Sequence, residues 1–71
     1  MAVHASEAPD IPALLLETWL VYEGHERMVD AAAEAGVSLA VFKRRLHELY
    51  TLLGVRSSQQ AGRSMRERGI I

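Results

Sequence analysis

The residues best suited to chemistry are three consecutive cations in the second half of the chain, Lys43, Arg44 and Arg45. A guanidinium carries a planar fork of N–H donors that matches phosphate oxygens and the O6/N7 edge of guanine, and a lysine ammonium can reach either group. Whether such groups meet a partner depends on the element that positions them and on the charge around them.

The charges of the chain are divided between its two halves. Residues 1–37 carry seven acidic side chains against Arg27, whereas residues 38–71 carry seven basic side chains against Glu48 and Glu67. Such asymmetry favours a polyanionic partner for the second half. The alternative is that the arginine-rich helices are simply solvated, and charge alone does not decide between the two.

Catalysis and metal binding have little support in the sequence. The chain has no cysteine, which excludes disulfides and thiolate metal sites. His4, His25 and His47 lack ligand spacing, and no glycine-rich phosphate loop is present. We therefore expect no enzyme, no metal site and no cofactor.

Hydrophobic periodicity predicts an all-α domain over residues 10–71, preceded by a disordered arm at residues 1–9 that contains Pro9. The first helix is expected from Ile11 to Tyr22 with Asp10 as its N-cap. The second is expected from His25 to Ala35 with a face of small residues. The apolar stretch at the first helix is too short to span a bilayer, and the N-terminal residues do not resemble a signal peptide. We therefore expect a cytoplasmic protein that does not enter the membrane.

The string AAAEAGVS predicts the end of one helix, a tight turn and the start of the next. Gly36 stands where helices commonly close with a left-handed residue, and Ser38 can cap the following helix through its hydroxyl. That third helix is expected from Leu39 to Leu53. Its apolar residues recur at steps of four, three and four, at Phe42, Leu46, Leu49 and Leu53.

The opposite side of the third helix is polar. Its outward positions are Ala40, Lys43, Arg44, His47 and Thr51. Arg45 points to the flank of this face. We expect Lys43 and Arg44 to suit guanine edges, Ala40 a thymine methyl group, and Arg45 a phosphate. The alternative for the three cations is a solvated helix face, and for His47 an exposed side chain without a role.

A fourth helix is expected from about Ser58 to Arg68, opened by a capping-box pattern at Ser57 and Gln60. One side of this helix could form a homodimer with a second copy of the chain, and Gly62 would allow close approach. The dimer candidates are Ala61, Ser64, Met65 and Arg68. Alternatively, Ala61 and Met65 pack on the domain's own core.

From Gly36 onward the chain resembles the LuxR/GerE-type helix-turn-helix DNA-binding domain. The matching positions are Gly36, Ser38, Lys43, Leu49, Tyr50, Leu53-Gly54-Val55, Ser57, Gln60-Ala61 and Gly69. The chain departs from the family pattern where Val41 replaces the usual Thr, Phe42 the usual Val, Arg45 the usual His and Ser58 the usual Arg. The first helix matches only loosely.

The resemblance implies a compact four-helix domain whose third helix enters the major groove of duplex DNA and whose fourth helix commonly mediates a dimer. It implies a small bacterial or phage transcriptional regulator. Ser38, at the start of the third helix, and Arg56, in the loop before the fourth, are expected to hold phosphates. The alternative is a protein-interaction module of the same fold that binds another regulator or polymerase through the acidic first half.

Overall fold

Four α-helices make up residues 11–71, the part of the chain that the computed structural model describes, and no strand occurs in that range. The all-α, four-helix prediction is confirmed. The predicted arm at residues 1–9 and the predicted cap at Asp10 lie outside the described residues. The helices are α1 (Ala13–Glu23), α2 (Met28–Ala35), α3 (Leu39–Leu53) and α4 (Ser58–Glu67).

The first two helices start later than the sequence predicts. Pro12 precedes α1 in an extended conformation, with ψ 140°, and its carbonyl oxygen accepts the N–H groups of Leu15 and Leu16. Ile11 is kept out of the helix because a residue before proline disfavours helical backbone angles. Helix α2 begins at Met28 rather than at His25, because Arg27 before it is extended, with φ −120° and ψ 137°.

The turn between α2 and α3 has the predicted geometry. Gly36 adopts a left-handed conformation with φ 75°, and the N–H of Val37 reaches back to the carbonyl of Ala32 over 3.1 Å. The Ser38 hydroxyl oxygen then accepts the N–H of Val41 over 3.2 Å. The last residue of α2, Ala35, and the cap of α3, Ser38, are thus three residues apart. This short connection fixes the angle at which α3 leaves the turn.

Helix α4 is held at its start by two side chains. The Ser57 hydroxyl accepts the N–H of Gln60, and the Gln60 side-chain oxygen accepts the N–H of Arg56 over 2.9 Å. This reciprocal arrangement is close to the predicted capping box, with the return bond displaced by one residue. Gly54, in the left-handed conformation with φ 72°, ends α3 before it.

All four helices contribute to one hydrophobic core. Helix α3 supplies the predicted seam, and Trp19 from α1 is the largest core side chain at 2% exposure. The core members are Leu15, Trp19, Ala31, Ala32, Phe42, Leu46, Leu49, Leu53, Ala61 and Met65. Helix α3 packs against each of the other three helices and therefore holds the centre of the domain.

Candidate nucleic-acid interface

The buried seam of α3 decides which side of that helix faces solvent. Phe42, Leu46, Leu49 and Leu53 are all buried. Since an α-helix turns about 100° per residue, the positions facing away fall within a sector of about 100°. Those positions, all exposed, are Ala40, Lys43, Arg44, His47 and Thr51. The structure thus brings four of the predicted site residues together on one surface, which we call the α3 face.

Ser38 lies at the N-terminal end of the α3 face and is exposed. Its oxygen is occupied as an acceptor by the Val41 N–H, but a hydroxyl can still donate its own hydrogen. The first N–H groups of a helix have no intrahelical acceptor, and the positive end of the helix dipole lies there. This end of α3 is therefore suited to an anionic group such as a phosphate.

Arg45 does not share the α3 face. Its side chain is half-buried and borders a shallow depression against α1, together with Glu17 and Thr18. Glu17 borders the same depression, but no carboxylate of residues 11–71 lies within 4 Å of the Arg45 guanidinium. Arg45 thus lies on the flank of α3, as the sequence predicts, and its phosphate contact stays a prediction.

Arg56 is exposed in the loop between α3 and α4. Its backbone N–H is held by the Gln60 side chain, whereas the guanidinium has no ion-pair partner within the described residues. The backbone of Arg56 is thus positioned and its charged group remains available.

The predicted dimer surface needs a correction. Ala61 and Met65 are both 0% exposed and belong to the core of the domain itself. They cannot form a dimer interface while that core stays intact. Ser64 is half-buried and Arg68 is exposed, so only these two remain of the proposed set. The apolar stripe of α4 serves the chain's own packing.

The ion pairs of residues 11–71 lie away from the α3 face. Arg27 contacts Asp30 at 3.4 Å, and the His25 ring contacts the Glu34 carboxylate. Both pairs belong to α2 and the loop before it. Lys43 and Arg44 have no carboxylate within 4 Å among these residues, so the positive charge of the face is not neutralised locally.

Tyr50 lies on α3 beside the core, on the side that faces α1. Burial, and secondarily the neighbouring phenol of Tyr22, raises the pKa of Tyr50 to about 12. Tyr50 therefore stays neutral at physiological pH and contributes no charge next to the α3 face.

A cleft between α1 and α4 was not predicted from the sequence. Trp19, Tyr22 and Glu23 form one wall, and Gly62, Arg63 and Arg66 line the other with Ser58 and Gln59. The signal available in the sequence was the pair of arginines that follows a glycine inside a helix. That signal does not reveal which helix lies opposite.

None of the helices within residues 11–71 is both long and apolar enough to cross a membrane. Among the same residues, no three His, Asp or Glu side chains come together as metal ligands would.

Comparison with protein-family models, with curated proteins and with solved structures finds no match to this chain. The resemblance to the LuxR/GerE-type domain therefore rests on the residue pattern from Gly36 onward.

Proposed function

We propose that this protein binds duplex DNA in a sequence-specific manner and regulates transcription, with α3 placed in the major groove. The observation that carries the proposal is the α3 face, an exposed cationic surface set directly opposite a fully buried apolar seam. The major groove of B-DNA is wide enough to admit one α-helix, and residues near the start of such a helix usually meet the base edges. Such a regulator acts in the bacterial cytosol or in a phage-infected host.

Four residues of the face have a place in this proposal. Arg44 donates two parallel hydrogen bonds to guanine, and Lys43 donates to the same kind of edge. Ala40 lies against a thymine methyl group, and His47 lies one turn further along the groove. Ser38 and Arg56 hold the flanking phosphates, which sets the register without reading sequence.

The acidic first half has a consequence for affinity. With a net charge of −1 for the whole chain, general attraction to DNA is weak, and the local charge of the α3 face must supply it. We therefore expect moderate affinity for random duplex and a clear preference for a selected site.

The test is a binding-site selection from random duplexes, followed by a salt titration of the selected duplex. Each neutralised phosphate contributes about −0.9 to the slope of log K against log salt. The double variant Lys43→Ala, Arg44→Ala should weaken binding by a factor of about 10 or more, because one good bidentate base contact alone is worth about 1–3 kcal/mol. Failure to enrich any sequence, or equal binding by this variant, would refute the proposal.

A matched control removes a cation from elsewhere. Arg27→Ala deletes one positive charge at the N-cap position of α2, where the exposed ion pair with Asp30 contributes little to stability. This variant should bind the selected duplex as the unmodified protein does. Weakening by Arg27→Ala equal to that of the double variant would indicate a general charge effect and no interface at α3.

A protein-interaction module is the second candidate, and one observation favours it. Helix α1 exposes two large apolar side chains, Leu14 at 49% and Leu20 at 52%. Two exposed acids follow it in sequence, Glu26 in the loop before α2 and Asp30 on α2. Exposed apolar residues with a charged surround are typical of contact surfaces for other proteins. Charge reversal at Glu26 and Asp30 would disrupt this function and leave the α3 face untouched.

A further inference from the structure

We infer that the cleft between α1 and α4 is a binding site for a phosphate group, either free or carried by a small organic molecule. The cleft has a volume of about 370 Å³, within the range of small-molecule sites. This inference goes beyond the DNA-binding proposal and does not depend on it, because the cleft is formed by α1 and α4 and not by the α3 face.

The first observation is an unused hydrogen-bond donor. Trp19 is 2% exposed, and its indole N–H has no acceptor among the described residues. Leaving a buried donor unpaired costs about 1–3 kcal/mol. Thr18, the neighbouring buried polar residue, is satisfied by the Leu14 carbonyl at 2.8 Å. Among the buried side-chain polar atoms of residues 11–71, the indole N–H is thus the one without a hydrogen-bond partner.

The indole edge that carries this donor faces α4. Its Cζ2 atom, next to the ring carbon that is bonded to Nε1, lies 3.4 Å from where a Cβ atom on Gly62 would stand. Glycine inside a helix costs about 1 kcal/mol relative to alanine. Gly62 therefore lets the indole edge lie close to α4, and an alanine methyl group at this position would contact both the indole and the Arg66 guanidinium.

The charges of the cleft match an anion. Arg63 and Arg66 line it from α4, and neither has a carboxylate within 4 Å among the described residues, Glu23 on the opposite wall included. Two guanidiniums and an N–H supply several donors, which fits the three or more acceptor oxygens of a phosphate better than the two of a carboxylate.

Arg66 is the side chain that adjusts on binding. Its guanidinium Nη1 lies 3.3 Å from the same Cβ position on Gly62, on the side of α4 that the indole edge approaches. Arg66 is exposed, and its long side chain can move outward to pair with the ligand while the anion takes the indole hydrogen bond.

The site can be observed directly, because Trp19 is the only tryptophan of the chain and gives a single indole N–H resonance in a ¹⁵N–¹H spectrum. The full-length protein is titrated with inorganic phosphate and, separately, with adenosine monophosphate, with sodium chloride at matched ionic strength as the reference. We expect a saturable downfield shift of the indole resonance with both phosphates and none with chloride. Tighter binding of the nucleotide would show that the aromatic wall holds the organic part, and equal binding would show that the phosphate suffices.

Variants assign the shift to the cleft. Arg63→Ala combined with Arg66→Ala should weaken phosphate binding by a factor of about 10 or more. Gly62→Ala should weaken binding, because its methyl group would displace the Arg66 guanidinium, while circular dichroism shows unchanged helix content. Ser64→Ala, outside the cleft, should bind as the unmodified protein does. The inference is overturned if phosphate shifts the indole no more than chloride does, or if the Gly62→Ala and double-arginine proteins still bind phosphate normally.

Discussion

Replacing Met65 with alanine tests whether α4 belongs to the domain's core or to a dimer surface. Met65 is fully buried, and truncation of such a side chain to alanine costs about 2–5 kcal/mol through lost burial and the cavity left behind. A chain of this length has a total stability of about 4–11 kcal/mol. With a urea slope of about 1 kcal/mol per molar for a small protein, the midpoint of unfolding should fall by about 2 M or more, or the protein should not fold.

The assay is urea unfolding followed by the fluorescence of Trp19, which contacts the same core, at several protein concentrations. Ser64→Ala is the matched control on the adjacent, half-buried position and should change stability by no more than about 0.5 kcal/mol. If Met65 were an interface residue, its contribution would grow with protein concentration by mass action. A loss below about 1 kcal/mol, or one that depends on concentration, would refute the packing described above.

Three further predictions concern single elements. Gly36→Ala should destabilise the fold by about 1 kcal/mol, because φ is +75° at this position, although there is space for a side chain. Gly24→Ala, at φ −80°, should be neutral or slightly stabilising in thermal unfolding. Equal effects of the two substitutions would contradict the assigned conformations. Ser57→Ala should cost about 1 kcal/mol by removing the cap of α4, and an unchanged melting temperature would count against that cap. The unfolded chain loses the Tyr50 proton near pH 10 and the folded chain only near pH 12, so stability should fall as pH rises through this window. The stability of the Tyr50→Phe variant, measured by chemical unfolding over the same pH range, should fall less than that of the unmodified protein. An identical pH profile for the two proteins would argue against burial of the phenol.

Helix α3 shows what can be predicted from sequence in this chain. Both of its ends agree with the prediction. Ser38 caps the start of the helix and Gly54 ends it, and both residue types do so through local chemistry, irrespective of the rest of the fold. The four apolar residues between them, Phe42, Leu46, Leu49 and Leu53, can all be buried in only one rotational orientation of the helix. The composition of the α3 face followed from the same spacing.

Features set by contacts between distant segments could not be predicted in this way. The stripe of Ala61 and Met65 shows that one side of α4 is apolar, but not whether it meets the chain's own core or a second copy. Arg45 is turned towards α1 by the angle at which helices pack, which single-helix periodicity does not contain. The cleft between Trp19 and Gly62 arises in the same way, from residues far apart in the chain.

The central claim is that the α3 face contacts duplex DNA. Its most direct test is a ¹⁵N–¹H titration of the full chain with an unlabelled duplex from the selection, at low salt. We predict that the amide resonances of residues 38–47 and of Arg56 shift in proportion to bound duplex, while those of Glu26, in the loop before α2, and Asp30, on α2, stay in place. Resonances of the α3 face that do not move at saturating duplex, or movement confined to α1 and α2, would contradict it.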